Sequence, residues 1–223
     1  MSIGLILLVI VGILVLCGVA RRVLDKLRLT DRQALLFVAL LLVGGWIPDI
    51  PLGNMVRLNI GGALIPIGLC VYLLIKADSA KERVRALTAS VISAIAVFFI
   101  ARWMPAEPEQ IWFDPNYLYG LAGGVIAYLM GRSRRGAFIA GVLGVVLADI
   151  TQAVILWNQG VDQVLRLGGA GALDVVVISG LTAVLLAELV GEIVERVSRG
   201  NHRPEDRKFE HGEFVEREGE KDK

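Results

Sequence analysis

Cysteine and histidine are scarce, at two of each in 223 residues. Cys17 and Cys70 sit in apolar runs with no C-x-x-C spacing, which excludes a disulfide framework or a thiolate metal site and leaves small buried hydrophobes. His202 and His211 stand isolated among charged residues and make no ligand set, so neither a metal nor a cofactor is expected. Net charge is missing too. Lys and Arg total 23 against 22 Asp and Glu, and the basic residues cluster at the ends of apolar runs rather than on one surface, which excludes nucleic acid as a partner. Charged residues of any sign make up only 20% of the chain against 55% hydrophobic, too few for an ordinary soluble domain.

What the chain has instead is apolar length. Seven runs are long enough, or nearly so, to cross a bilayer at ~20 residues each: Ile3–Ala20, Gln33–Ile47, Asn59–Ile75, Ala86–Ala101, Tyr117–Gly131, Gly136–Trp157 and Leu167–Ala187. The first lacks a basic region before it and is followed by Arg21-Arg22 where a cleavage site would lie, so it reads as a retained helix rather than a secretory signal. Bulky Leu14-Val15-Leu16 ahead of Cys17 argues against lipid modification there. The expected fold is therefore all-α, a polytopic transmembrane helix bundle of about seven spans, with the lipid bilayer as its constant partner.

Loops rich in Lys and Arg stay in the cytoplasm. Arg21, Arg22, Lys26, Arg28 and Arg32 lie between the first two runs, Lys76, Lys81, Arg83 and Arg85 between the next pair, and Arg132, Arg134 and Arg135 between the fifth and sixth. The alternate loops hold only Arg57, Arg102 and Arg166, which places the N-terminus outside and the C-terminus in the cytoplasm. Trp46, Trp103, Trp112 and Trp157 all fall at the outer boundary, where indole rings favour the headgroup level. Two prolines in Trp46-Ile47-Pro48-Asp49-Ile50-Pro51 forbid helix continuation, and the stretch from Pro105 to Pro115 mixes acids, prolines and aromatics in the manner of a surface cap. Residues 1–197 then form a transmembrane domain, and the mixed-charge residues 198–223 form a disordered cytoplasmic tail. Gly120 with Gly124, and Ala140 with Gly144, repeat a small-x-x-x-small spacing that lets helix backbones approach in lipid.

Two acids fall inside apolar runs, and a charge there costs at least ~2.5 kcal/mol, so each is a candidate functional group. Asp149 lies eight residues before Trp157, ~12 Å below the outer boundary. If the last run begins near Leu167, Asp174 lies seven residues in, ~10 Å deep and level with Asp149. Carboxyls brought together in low dielectric cannot both ionise; the pair shares a proton and either activates a water or binds a cation or proton. Gln152 shares a helix face with Asp149 and can donate to either acid. Asp49 and Asn59 project toward the same half of the membrane. Alternatively, Asp174 caps a helix broken at Gly168, Gly169 and Gly171, and Asp149 bonds locally.

The segments Asn59-Ile60-Gly61-Gly62-Ala63-Leu64-Ile65-Pro66 and Gly168-Gly169-Ala170-Gly171-Ala172-Leu173-Asp174 resemble signatures of a prokaryotic membrane family, domain of unknown function 1614, over most of the chain up to the tail. That resemblance implies a multi-pass protein of a prokaryotic cytoplasmic membrane and no particular activity. A more distant resemblance, one Asp on each of two consecutive helices with Gly171-Ala172-Leu173-Asp174 in place of Gly-x-Gly-Asp, is to intramembrane aspartyl proteases of the presenilin and signal-peptide-peptidase type. It would make Asp149 and Asp174 catalytic and the substrate a membrane-embedded peptide. Glycine breaks at Gly61-Gly62 and Gly168-Gly169 suggest instead a proton- or cation-coupled small-solute transporter, with Asp49, Asn59, Gln152, Gly168, Gly169 and Gly171 around substrate or ion. A non-enzymatic membrane scaffold acting through the tail is the third reading. No motif speaks to the oligomeric state.

Overall fold

The computed structural model describes residues 31–77, 79–103, 115–130, 133–171, 174–199, 207–210 and 213–216. The run expected to form the first span, residues 3–20 with Cys17, lies outside them, as do the basic residues 21–28, the segment 105–114 with Trp112, and both histidines. The described chain is mostly helical. Its contacts divide it into two compact units, Met1–Glu188 and Leu189–Lys223.

In the first unit, helix α1 (Asp31–Trp46) stops just before the proline-bearing segment, as the fixed proline φ requires. The chain then makes two short strands, β1 (Ile50–Pro51) and β2 (Val56–Leu58), and re-enters the bundle through a π-helical turn (Ile60–Leu64) that continues as α2 (Ile65–Ile75). Pro66 sits in the first turn of α2, where its missing N–H costs nothing. Helices α3 (Ala80–Trp103), α4 (Pro115–Leu129) and α5 (Arg134–Asn158) follow. Ser79 Oγ accepts the Glu82 N–H at 3.2 Å at the start of α3, and Ser133 Oγ accepts the Gly136 N–H at 3.2 Å at the start of α5. A third strand, β3 (Leu165–Leu167), precedes α6 (Val175–Arg199).

Central in this unit is α5, packed on α2, α3, α4 and β3. Small residues make the seams. Ser90 Oγ donates to the Ala86 and Ile139 carbonyls at 2.8 and 3.4 Å, Ser179 Oγ donates to the Gly141 carbonyl at 3.0 Å, and a Cβ on Gly123 would meet Gly141 Cα at 2.9 Å. The large apolar residues face the other way: Leu87, Val91, Ile95 and Phe99 stand exposed along α3 while Ala86, Ala89, Ser90, Ser93 and Ala94 are buried. Small side chains, rather than interlocking large ones, therefore make the contacts between these helices. Helices α3 and α5, of 24 and 25 residues with mean hydropathy 2.1, are long and apolar enough to cross a membrane; α1, the π turn with α2, α4 and the apolar part of α6 are shorter.

The two ends of the bundle differ chemically. At one end α2 finishes and α3 and α5 begin, tied by Arg135, whose guanidinium donates to the Lys76 carbonyl at 3.3 Å and pairs with Glu82 at 3.4 Å. Arg134 pairs with Glu188 close by. At the other end β2 runs between an antiparallel β1 and a parallel β3, in the order β1-β2-β3. This sheet corrects the expectation of a last span starting at Leu167. Residues Leu165–Leu167 pair with Val56–Leu58, and Gly168 and Gly171 adopt positive φ of 73° and 63°, which an α-helix cannot contain, so the helix starts only at Val175.

The second unit holds the end of α6 and two strands, β4 (Arg207–Glu210) and β5 (Glu213–Glu216). They pair antiparallel within the charged tail, with Arg207 in register with Glu216 and Glu210 with Glu213.

Candidate functional site

Three backbone segments meet at the sheet end of the bundle, and glycine is what lets them. A Cβ on Gly61 would fall 2.3 Å from Gly45 N and 2.5 Å from the Leu41 carbonyl oxygen; one on Gly62 would fall 2.2 Å from the Gly168 carbonyl oxygen; one on Gly171 would fall 2.8 Å from Gly45 Cα. The end of α1, the π turn and the Gly168–Gly171 turn thus touch main chain to main chain. Gly61-Gly62 and Gly168-Gly169 stand out in the sequence as paired glycines; in space Gly62 packs directly on Gly168, while Gly61 packs on Gly45.

Asn59 locks this junction. Buried to 3% exposure, it accepts the Gly62 N–H on Oδ1 at 2.9 Å and donates through Nδ2 to Asp49 Oδ1 at 3.0 Å and to the Ile47 carbonyl at 3.3 Å. Its own N–H donates to the Leu167 carbonyl at 2.9 Å, so one residue ties the loop between α1 and β1, the π turn and β3 together. Asp49 and Asn59, expected to share a polar region, are in direct contact.

Asp174 stands at the head of α6. Its Oδ1 accepts the Val176 N–H at 3.0 Å and its Oδ2 accepts the Ala170 N–H at 3.1 Å, while its own N–H donates to the Gly171 carbonyl at 3.0 Å. This is N-cap geometry, with both carboxylate oxygens engaged and the charge placed where the helix dipole favours an anion. Because α6 begins at Val175, Asp174 lies at a helix end rather than seven residues inside a span, and the depth comparison with Asp149 no longer holds in that form.

Asp149 is different. It lies on α5, nine residues before the helix ends at Asn158, half-buried, and its carboxylate has no hydrogen-bond partner among the described residues. Asp174 is its acidic neighbour in the fold. Gln152, one turn further on, is exposed and bonds to neither acid; Thr151 is also exposed and turns its hydroxyl back to the Leu147 carbonyl at 2.7 Å. Gly169 is exposed, and a Cβ there would meet only the Arg166 side chain, at 3.4 Å, so it has no part in the close packing. The arrangement therefore offers one fixed carboxylate and one unengaged carboxylate beside a junction of turns, which suits a proton or small cation. Sequence reading missed Gly44, Gly45 and the π turn. The Gly44-Gly45 pair, next to the proline-bearing loop, was the available signal.

Fold and site together define a mostly helical protein with apolar helices of membrane-crossing length, closed at one end by a glycine junction. The chain belongs to the DUF1614 family, proteins of unknown function, which it matches over residues 7–186. That span ends two residues short of the boundary between the two compact units, so the family region is the helical unit without the tail. No curated protein and no solved structure matches the chain, and the likeness to presenilin-type proteases finds no support.

Proposed function

We propose that this chain is a multi-pass protein of the cytoplasmic membrane, with about seven spans and its C-terminus inside, that takes up a proton or small cation at Asp149 beside Asp174 as the ion site of a small-solute carrier. The observation that carries the reading is the contrast between the two acids: Asp174 is held by two backbone N–H groups, whereas Asp149, half-buried on α5, has no hydrogen-bond partner among the described residues. An unpaired carboxylate in low dielectric is too costly to persist and is satisfied by a proton or a cation. A proteolytic dyad needs both carboxyls free to hold one water, and Asp174 spends both its oxygens on the backbone. Helix breaks at the π turn and at the Gly168–Gly171 turn fit a carrier, in which irregular backbone lines the ion path and lends its carbonyls. The end of the bundle bearing Lys76, Lys81, Arg83, Arg85, Arg134 and Arg135 then faces the cytoplasm, and Trp46 and Trp103, both strongly exposed, lie at the outer headgroups.

A hydrophobic carbodiimide, which reacts with protonated carboxyls inside membranes, tests this without a known substrate. Applied to native membranes and read by peptide mass mapping, it should label Asp149 and spare Asp174, with added cation or raised pH protecting Asp149. Labelling of Asp174 alone, or of neither acid, would reject the ion site.

A further inference from the structure

At the cationic end of the bundle, α3, α4 and the start of α5 enclose a cleft of about 240 Å³. Its mouth carries Ser79, Lys81, Glu82, Arg85 and Ser133, and its floor is Ala86, Ala89, Ala127 and Met130. We infer that this cleft is a binding site for an anionic phospholipid, with the phosphate held by Lys81 and Arg85 and the head of an acyl chain laid on the alanine floor. The inference rests on the membrane reading of the helices but not on the ion site at Asp149.

Charge decides the headgroup. Glu82 is already committed, to Arg135 at 3.4 Å and to Ser133 Oγ at 3.5 Å, and Arg134 is paired with Glu188. Lys81 and Arg85, one helical turn apart on α3, are exposed and have no anionic partner among the described residues. Two cations at a cleft whose single acid is engaged elsewhere complement a phosphate. Shape decides the rest. The volume falls below the ~300 Å³ at which pockets begin to enclose a whole small ligand, so the occupant must extend beyond the cleft. Beside the alanine floor, on the same face of α3 and two turns on from Arg85, the apolar side chain of Ile92 is exposed. A molecule with a phosphate at one end and hydrocarbon at the other satisfies both halves, whereas inorganic phosphate would leave the floor bare. Basic clefts between helices on the cytoplasmic side are established places for anionic headgroups.

The test compares the full chain with a Lys81→Gln/Arg85→Gln double variant in mixed nanodiscs of phosphatidylglycerol and phosphatidylcholine, reading co-purified lipid by native mass spectrometry. Both positions are exposed, so folding is not at risk. Wild type should retain phosphatidylglycerol over phosphatidylcholine, and the double variant should lose about 25-fold of that preference, roughly five-fold per cation. Equal preference in the two proteins overturns the proposal, as does displacement of the lipid by millimolar inorganic phosphate, which would assign the cleft to a free anion. Failure of the membrane reading shows up separately, as recovery of the chain without detergent.

Discussion

Replacing Gly62 with alanine should damage this protein far more than one methyl normally does. The added Cβ would lie 2.2 Å from the Gly168 carbonyl oxygen and 2.7 Å from Gly168 Cα, so the Gly168–Gly171 turn must retreat until contact reaches the ordinary range above 3.4 Å. The neighbouring atoms are backbone, so no side chain can rotate away. Nor can Gly168 move freely, since its own position abuts Ala63 N. Overpacking costs 1–3 kcal/mol, and a contact made wholly of main chain belongs at the top of that range, ~3 kcal/mol. At 2–4 °C per kcal/mol for a chain of this size, the melting temperature should fall by roughly 6–12 °C. Gly68→Ala on α2 is the internal control: nothing lies within 4 Å of its Cβ, and removing a helical glycine should stabilise by about 0.5–1 kcal/mol. Circular dichroism melts of the purified proteins in one detergent read both. Co-melting of Gly62→Ala with wild type while Gly68→Ala rises would mean that the three segments do not meet as described.

Other substitutions probe the same packing. Asn59→Asp keeps the acceptor for the Gly62 N–H but sets a carboxylate against Asp49, now 3.0 Å away; it should lower the melting temperature, and adding Asp49→Asn should restore most of the loss, a coupling that independent sites would lack. Ser93 Oγ is buried with no hydrogen-bond partner among the described residues, so Ser93→Ala should be neutral or stabilising by up to ~1 kcal/mol in the same melts; a clear loss would reveal a bond not seen here. Asp174→Ala should cost ~1 kcal/mol through the lost cap, and Asp174→Asn less, because one oxygen can still accept; equal losses would speak against a capping role.

The helices were legible because each is a long apolar run bounded by charge or proline. Asp31–Trp46, Ile60–Ile75 and Arg134–Asn158 fall within a few residues of the runs that hydropathy picks out. Asp49 with Asn59 was legible as a polar patch, though not as a bonded pair. The small sheet was not. Its strands are two and three residues long, and Leu165-Arg166-Leu167 reads equally well as the entry to a span, so only the pairing with Val56–Leu58 distinguishes them. The fate of Asp174 followed from the same ambiguity: glycines at positive φ end one element, and an aspartate three residues after Gly171 becomes the cap of the next instead of a group inside it. Contact of Gly45 with Gly61 and Gly171, and of Gly62 with Gly168, is long-range, and local periodicity carries no trace of it.

The central claim is that Asp149 exchanges a proton or cation while Asp174 stays fixed. Infrared difference spectra of the protein in nanodiscs, taken between high and low cation concentration, test it most directly. A protonated-carboxyl band that vanishes on cation binding, disappears in Asp149→Asn and persists in Asp174→Asn is the expected result. A band that survives Asp149→Asn, or no cation-sensitive carboxyl band in the wild type, would contradict it.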